Sequence, residues 1–290
     1  MKPLARFRLL GPLSVCLGGE PVEVGHPRQR CVLAVLLTEA GRPVPTGTLV
    51  DRVWGDNPPP TARNAVYTYV TQLRAALVPL DVPIVKRSSG YVIGVEPDAV
   101  DMHRFHRLVG KAKKSHSDVA VVDFLAEALD LSRGMPFDDL HTPWIDMVRS
   151  GLLAQRRSAL LRVSDLLLRL NRHAEALHGL HEAAVAAPLD ESLAEQLMLA
   201  LYRSGQFAAA LGHYHEVRRA LAEELGVSPS PQLQEFYQKL LRGDPSLAVP
   251  PSGGASTRRH DVHRPRAGSP GGLPPCARCA TGCGTCRRHG

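Results

Sequence analysis

The hexapeptide RHAEAL at 172–177 returns in outline as QFAAAL at 206–211, an offset of 34 residues. That is the period of the tetratricopeptide helical hairpin. The same offset sets Val163 on Leu197, Leu167 on Leu201 and Asn171 on Gly205, the last pair where a turn between two helices belongs. A single hairpin cannot bury its apolar face alone, so two in succession confine this part of the chain to stacked helix pairs with a shared core. Helical spacing of apolar residues over 102–116, 118–132 and 230–242 extends the stack. Such a stack leaves a concave face suited to proteins or peptides.

The first hundred residues follow a different plan. Residues 5–24 alternate apolar and polar around Gly11-Pro12 and Gly18-Gly19, which predicts short antiparallel strands. An apolar helix is expected over 28–40, ended by Gly41, and a shorter one over 46–54, capped by Thr46 and ended by Gly55. A longer helix over 61–77, with Thr61 as N-cap, precedes two strand runs in 84–95 joined by a Ser-Ser-Gly turn. Strands, three helices and a hairpin in that order make a winged helix-turn-helix. The fold class is therefore mainly α with a small antiparallel β component: a winged helix over 1–97, an all-α tetratricopeptide-like region over 101–243, and a tail over 244–290. That tail is rich in Pro, Gly, Arg and Cys and is expected to be disordered, since it has too few large apolar residues to offset the entropy of ordering.

The third helix carries the most specific surface. At 100° per residue Val66, Val70, Leu73 and Leu77 form one stripe, while Asn64, Tyr67, Thr68, Thr71 and Arg74 lie opposite. A solvated face is normally filled with Glu and Lys. Neutral hydrogen-bonding groups and an aromatic ring suit the base edges of a major groove, with Gln72 beside them. Arg28, Gln29 and Arg30, at the start of the first helix, are expected to hold phosphate together with the free N–H groups there. Lys86, Arg87 and Ser88, with Ser89, would lie along the backbone from the wing. Gly90 is better explained by backbone geometry, and Tyr91, Trp54 and Trp144 by packing.

Charge agrees with this division. Residues 1–95 hold 11 Lys and Arg against 6 Asp and Glu, residues 96–248 hold 17 against 21, and residues 249–290 hold 7 against 1. A basic N-terminal part points to a polyanion and an acidic second part to a protein partner. No apolar run reaches the length of a membrane span and the N-terminus lacks the pattern of a signal peptide, so no membrane partner and a cytoplasmic location are expected.

Other chemistries find little to stand on. His173, His178 and His181, or His213 and His215, have no matching ligand set, and no H-E-x-x-H occurs. Cys276, Cys279, Cys283 and Cys286 form two C-x-x-C pairs with three residues between them, fewer than zinc ribbons use. No nucleophile motif, acid pair or phosphate-binding G-x-x-x-x-G-K-[ST] stands out. No catalytic residue, metal or cofactor is expected.

"FRLLGPLSV" (7–15), "HPRQRCVLAVLL" (26–37), "LVDRVWGDNPPPTARNAVYTYVTQLRAAL" (49–77) and "SGYVIGV" (89–95) resemble the DNA-binding domain of the Streptomyces antibiotic regulatory protein family. "ALDLSRGMPF" (128–137), Trp144 and the stretch 188–241 are similar to the bacterial transcriptional activation domain of that family. The resemblance implies an OmpR-type winged helix that binds tandem direct repeats in double-stranded DNA as a homodimer or cooperative pair. It also implies that RNA polymerase holoenzyme is engaged at the promoter and a secondary-metabolite gene cluster switched on. The family often has Gln where Tyr67 stands and a basic residue near Gln72, which implies a different preferred repeat. The nucleotide-binding domain of its large members is not found here, so no ATPase is implied. The residues leave a second reading open, a tetratricopeptide adaptor whose winged helix binds protein.

Overall fold

The computed structural model describes residues 5–248. Strands β1 (Ala5–Arg8), β2 (Ser14–Leu17) and β3 (Glu20–Pro21) form an antiparallel sheet in that order, with Phe7 opposite Val15. The helix α1 (Pro27–Thr38) follows, and its run Cys31–Leu37 is buried on every side. A helix apolar all round has no solvent face, so α1 becomes the centre of the first core. Around it stand α2 (Thr46–Trp54), α3 (Ala62–Leu77) and the hairpin of β4 (Ile84–Arg87) and β5 (Gly90–Ile93).

One helix boundary and two caps differ from the expected ones. Thr46 is the first residue of α2, with Pro45 at the cap position, because the fixed φ of Pro already suits the entry. Gly41, at φ +76°, lies beyond α1, which has ended at Thr38. Thr61 occupies the cap of α3, but its side chain makes no capping bond.

The rest is helical: α4 (Asp101–Lys114), α5 (Asp118–Leu131), α6 (Pro143–Arg169), α7 (His173–Ala186), α8 (Glu191–Arg203), α9 (Phe207–Leu225) and α10 (Pro231–Arg242). Side chains of Ser117, Thr142, Asp190 and Ser230 cap α5, α6, α8 and α10, satisfying N–H groups that have no partner inside the helix. The repeat is reproduced in the backbone. Asn171 (φ 60°) and Gly205 (φ 77°) both take the left-handed conformation between their helices. The N–H of Arg172 donates to the Leu167 carbonyl at 2.8 Å and that of Gln206 to Leu201 at 2.9 Å, the same closing bond one repeat apart.

The expected seam between 97 and 101 is not a break in packing. The core that begins at Phe7 continues without interruption through Val100, Met102, Phe105, Leu108, Phe137, Ile145 and Leu152. The Asp101 carboxylate accepts from the Leu9 and Leu10 N–H groups at 2.8 and 3.1 Å, joining α4 to the end of β1. Burial pushes its carboxyl up, against the pull of these bonds. The segment between α5 and α6 straps back onto the sheet. The N–H of Phe137 donates to the Leu9 carbonyl at 3.0 Å, and Arg149 donates to the carbonyls of Pro136, Phe137 and Leu140, each at 2.8 Å. A second core runs from Ala112 to Leu247. The folded chain therefore passes the expected limit of 243 by a short helical turn, Pro245–Leu247, whose last carbonyl accepts from Arg203 at 3.1 Å.

Candidate nucleic-acid interface

On α3 the stripe Val66, Val70, Leu73 and Leu77 is buried, and Asn64, Tyr67, Thr68, Thr71 and Gln72 are exposed together on the other side. Tyr67 is 43% exposed. The hydroxyl of Thr68 donates to the Asn64 carbonyl at 3.2 Å and that of Thr71 to the Tyr67 carbonyl at 2.9 Å. With the proton turned inward, each hydroxyl presents lone pairs and a methyl group outward. That suits the amino groups of adenine and cytosine and the methyl of thymine.

The wing stands beside this face. Lys86, Arg87, Ser88 and Ser89 are exposed, and Lys86 Nζ lies 5.2 Å from the Tyr67 ring centroid. Tyr91 is 3% exposed and packs edge to face on Tyr67, with centroids 6.5 Å apart. Burial pushes its phenol up. Paired bonds between Tyr91 and Val44, at 2.8 and 2.9 Å, fasten the wing to the loop before α2. Gly90 sits where the backbone needs it: φ is +146°, and a Cβ there would lie 2.1 Å from the Val44 carbonyl oxygen.

Three arginines expected on DNA, of which Arg28 and Arg74 are exposed and Arg30 half-buried, each also donate to a backbone carbonyl of the protein. Arg74 Nε donates to the Ile84 carbonyl at 2.8 Å and its guanidinium lies 5.9 Å from the Tyr91 centroid, so it braces α3 against the wing. Arg28 donates to the Val53 carbonyl and lies 5.9 Å from the Trp54 ring. Arg30 donates to the Leu13 carbonyl at 2.5 Å and pairs with Asp139 at 2.6 Å. Gln29, beside them, is buried. The accepting carbonyls lie 10, 17 and 25 residues from their arginines in the sequence.

Arg63, which the sequence reading passed over, is exposed in the first turn of α3 and makes no ion pair among the described residues. It stands four residues before Tyr67, one turn away on the same side, and that spacing was the signal available. Trp54 and Trp144 are half-buried; Trp54 stacks on Tyr69 at 6.3 Å, and Arg52 covers Trp144 at 4.8 Å. His178 faces Glu182 at 3.4 Å and His213 faces Glu216 at 3.3 Å. Among the described residues no group of three or more His, Cys, Asp or Glu is placed to hold a metal ion. Cys276 to Cys286 lie outside the described residues.

Comparison with known proteins places both halves. The family described as bacterial transcriptional activator domain matches residues 100–241, and the one described as transcriptional regulatory protein, C terminal, matches 19–93. Regulatory protein AfsR of Streptomyces coelicolor is 42% identical over 247 residues, 84% of this chain and 25% of that protein. Regulatory protein DnrI of Streptomyces peucetius is 33% identical over 256 residues, 83% of this chain and 94% of that protein. The chain thus spans a quarter of AfsR and nearly all of DnrI. The solved structure of Mycobacterium tuberculosis EmbR in complex with a low-affinity phosphopeptide superposes with a TM-score of 0.71 at 29% identity, covering 84% of this chain and 66% of that one.

Proposed function

Because the chain belongs to the Streptomyces antibiotic regulatory protein family of transcriptional regulators, we propose that it activates a secondary-metabolite gene cluster by binding direct repeats in duplex DNA near a promoter. The observation that carries this reading is the exposed, uncharged polar face of α3 with the basic wing beside it. Asn64, Tyr67, Thr68, Thr71 and Gln72 read base edges; Lys86, Arg87, Ser88 and Arg63 grip phosphates. Arg28, Arg30 and Arg74, each bonded to a carbonyl of a neighbouring element, hold the reading surface in shape.

The mechanism is placement. Two copies sit head to tail on the repeat, their helical regions touch, and RNA polymerase holoenzyme is recruited through protein contacts. No bond is made or broken, so no enzymatic activity, metal or cofactor is involved. Among the described residues no helix is long and apolar enough to cross a membrane, and the chain acts in the cytoplasm, where its DNA is.

Fluorescence anisotropy against promoter fragments of neighbouring biosynthetic genes, at several salt concentrations, tests this. Wild type should bind one direct repeat tightly. A Tyr67→Ala, Thr71→Ala double variant should keep only weak, salt-dependent binding to any duplex. Equal wild-type binding to every duplex, or to none, would remove the activator reading and favour an adaptor whose winged helix binds protein.

A further inference from the structure

A furrow of about 530 Å³ runs between α7 and α9, the second helices of two successive hairpins, over a floor supplied by α8. Its size falls within the range of about 300–1,000 Å³ usual for ligand sites. Leu197 and Leu201 form the floor, and Ala184, Ala209 and Val217 the lower walls. Val185 stands on the lip with 82% of its surface exposed, the most exposed of the large apolar side chains among the described residues.

Two features separate this furrow from an ordinary helix junction. Gly212 lies in the second turn of α9, inside the helix, where glycine costs roughly 1 kcal/mol relative to alanine, and a Cβ at that position would meet nothing within 4 Å. The space above it is open to an incoming side chain. The rim is acidic: Glu216, Glu223 and Glu224 line it against Arg219 alone among the arginines and lysines. Neither Glu223 nor Glu224 makes an ion pair among the described residues. His213 also lines the furrow, and its Nε2 is buried without a hydrogen-bond partner.

We propose that this furrow docks a short amphipathic helix of a partner protein, with apolar side chains set over Gly212 and Lys or Arg side chains meeting Glu223 and Glu224. A third helix lying between two others buries apolar residues at i, i+3 and i+4 spacing, and the uncompensated carboxylates choose a basic partner over an acidic one. The proposal deepens, and rests on, the reading that the helical region works through protein contacts. It supplies the chemistry of the contact.

The probe is a short fluorescein-labelled peptide with Leu at i, i+3 and i+4 spacing and Lys and Arg elsewhere, titrated with the full chain. Binding should weaken by about tenfold or more for Glu223→Lys with Glu224→Lys, where rim charges are reversed. It should weaken as much for Gly212→Leu, which fills the furrow without changing charge and favours the helix, so that thermal unfolding by circular dichroism stays at or above the wild type. Peptides with Lys and Arg changed to Glu, or Leu changed to Ser, should not bind. The absence of saturable binding, equal binding by Gly212→Leu, or equal binding of the Leu-to-Ser peptide would each overturn the proposal. Operator binding is measured on the same samples and should be unchanged in every furrow variant. Its loss in the wild type would count against the activator reading, and a failure confined to the peptide against the furrow alone.

Discussion

Lys86 Nζ, on the wing, lies 5.2 Å from the ring centroid of Tyr67, on the third helix. A cation held over an aromatic face at an exposed site is worth about 0.5–1 kcal/mol. The two residues therefore present one surface, with the charge of the wing set at the margin of the exposed polar face of α3.

If Lys86 also meets a phosphate, Lys86→Ala should lower the log–log salt slope of operator binding by about 0.9. Tyr67→Leu should weaken binding and alter base preference, and the double variant should lose less than the sum of the two. Strict additivity in a double-mutant cycle would show that wing and helix act independently.

Arg74 should behave differently. Arg74→Met removes the bond from Nε to the Ile84 carbonyl, and leaving a partly buried carbonyl without its donor costs about 1–3 kcal/mol. Urea unfolding should show that loss, while the salt slope stays at its wild-type value. A slope lowered by about 0.9 would return Arg74 to the phosphate contacts.

Gly90→Ala should detach the wing, because its Cβ would lie 2.1 Å from the Val44 carbonyl oxygen and its φ is +146°. Backbone strain of this kind costs of order 1–3 kcal/mol, with the clash in addition. Hydrogen exchange at Tyr91 and Val44 should accelerate selectively. Protection equal to that of the wild type would show that the loop yields without cost.

The fragment 1–97 should melt lower, or less cooperatively, than the fragment 1–153. Val100, Phe105, Phe137 and Ile145 complete the first core, each at most 1% exposed, and removing one large buried side chain from such a core costs about 2–5 kcal/mol. Equal melting temperatures would mean that the winged helix is self-sufficient.

Burial pushes the Cys31 thiol up to about 11 from 9.0. A group that holds its proton more firmly when folded adds stability that is present below pH 9 and is lost as pH rises through about 11. Cys31→Ala should flatten that alkaline decline. In native protein at pH 8, iodoacetamide with peptide mapping should find Cys31 unmodified and half-buried Cys16 labelled ahead of it.

Spacing alone carried the interior of α3 and the repeat. Val66, Val70, Leu73 and Leu77 are buried because their side of a 3.6-residue helix had no alternative, and Asn171 and Gly205 turn alike because both tolerate positive φ. The arginines were another matter. Whether Arg28, Arg30 and Arg74 also bond a carbonyl depends on Val53, Leu13 and Ile84, and a charge pattern does not record which carbonyl will come within reach. The continuity of packing across 97–101 was hidden for a related reason. Met102, Phe105 and Leu108 have ordinary amphipathic spacing, which states that one side is buried without stating which core receives it.

The continuous core from Phe7 to Leu152, with Phe137 strapped to Leu9, packs α3, α4 and the start of α6 together, so on the proposed reading the helix offered to DNA and the helical region turn as one. Orientation on the duplex then dictates orientation around it. Half-sites set a whole number of turns apart, at about 10–10.5 base pairs per turn, bring two helical stacks to the same side of the DNA. An insertion of half a turn sends one of them to the far side. If the proposed pairing on direct repeats holds, the phase between half-sites is as much a part of the operator as the bases within them.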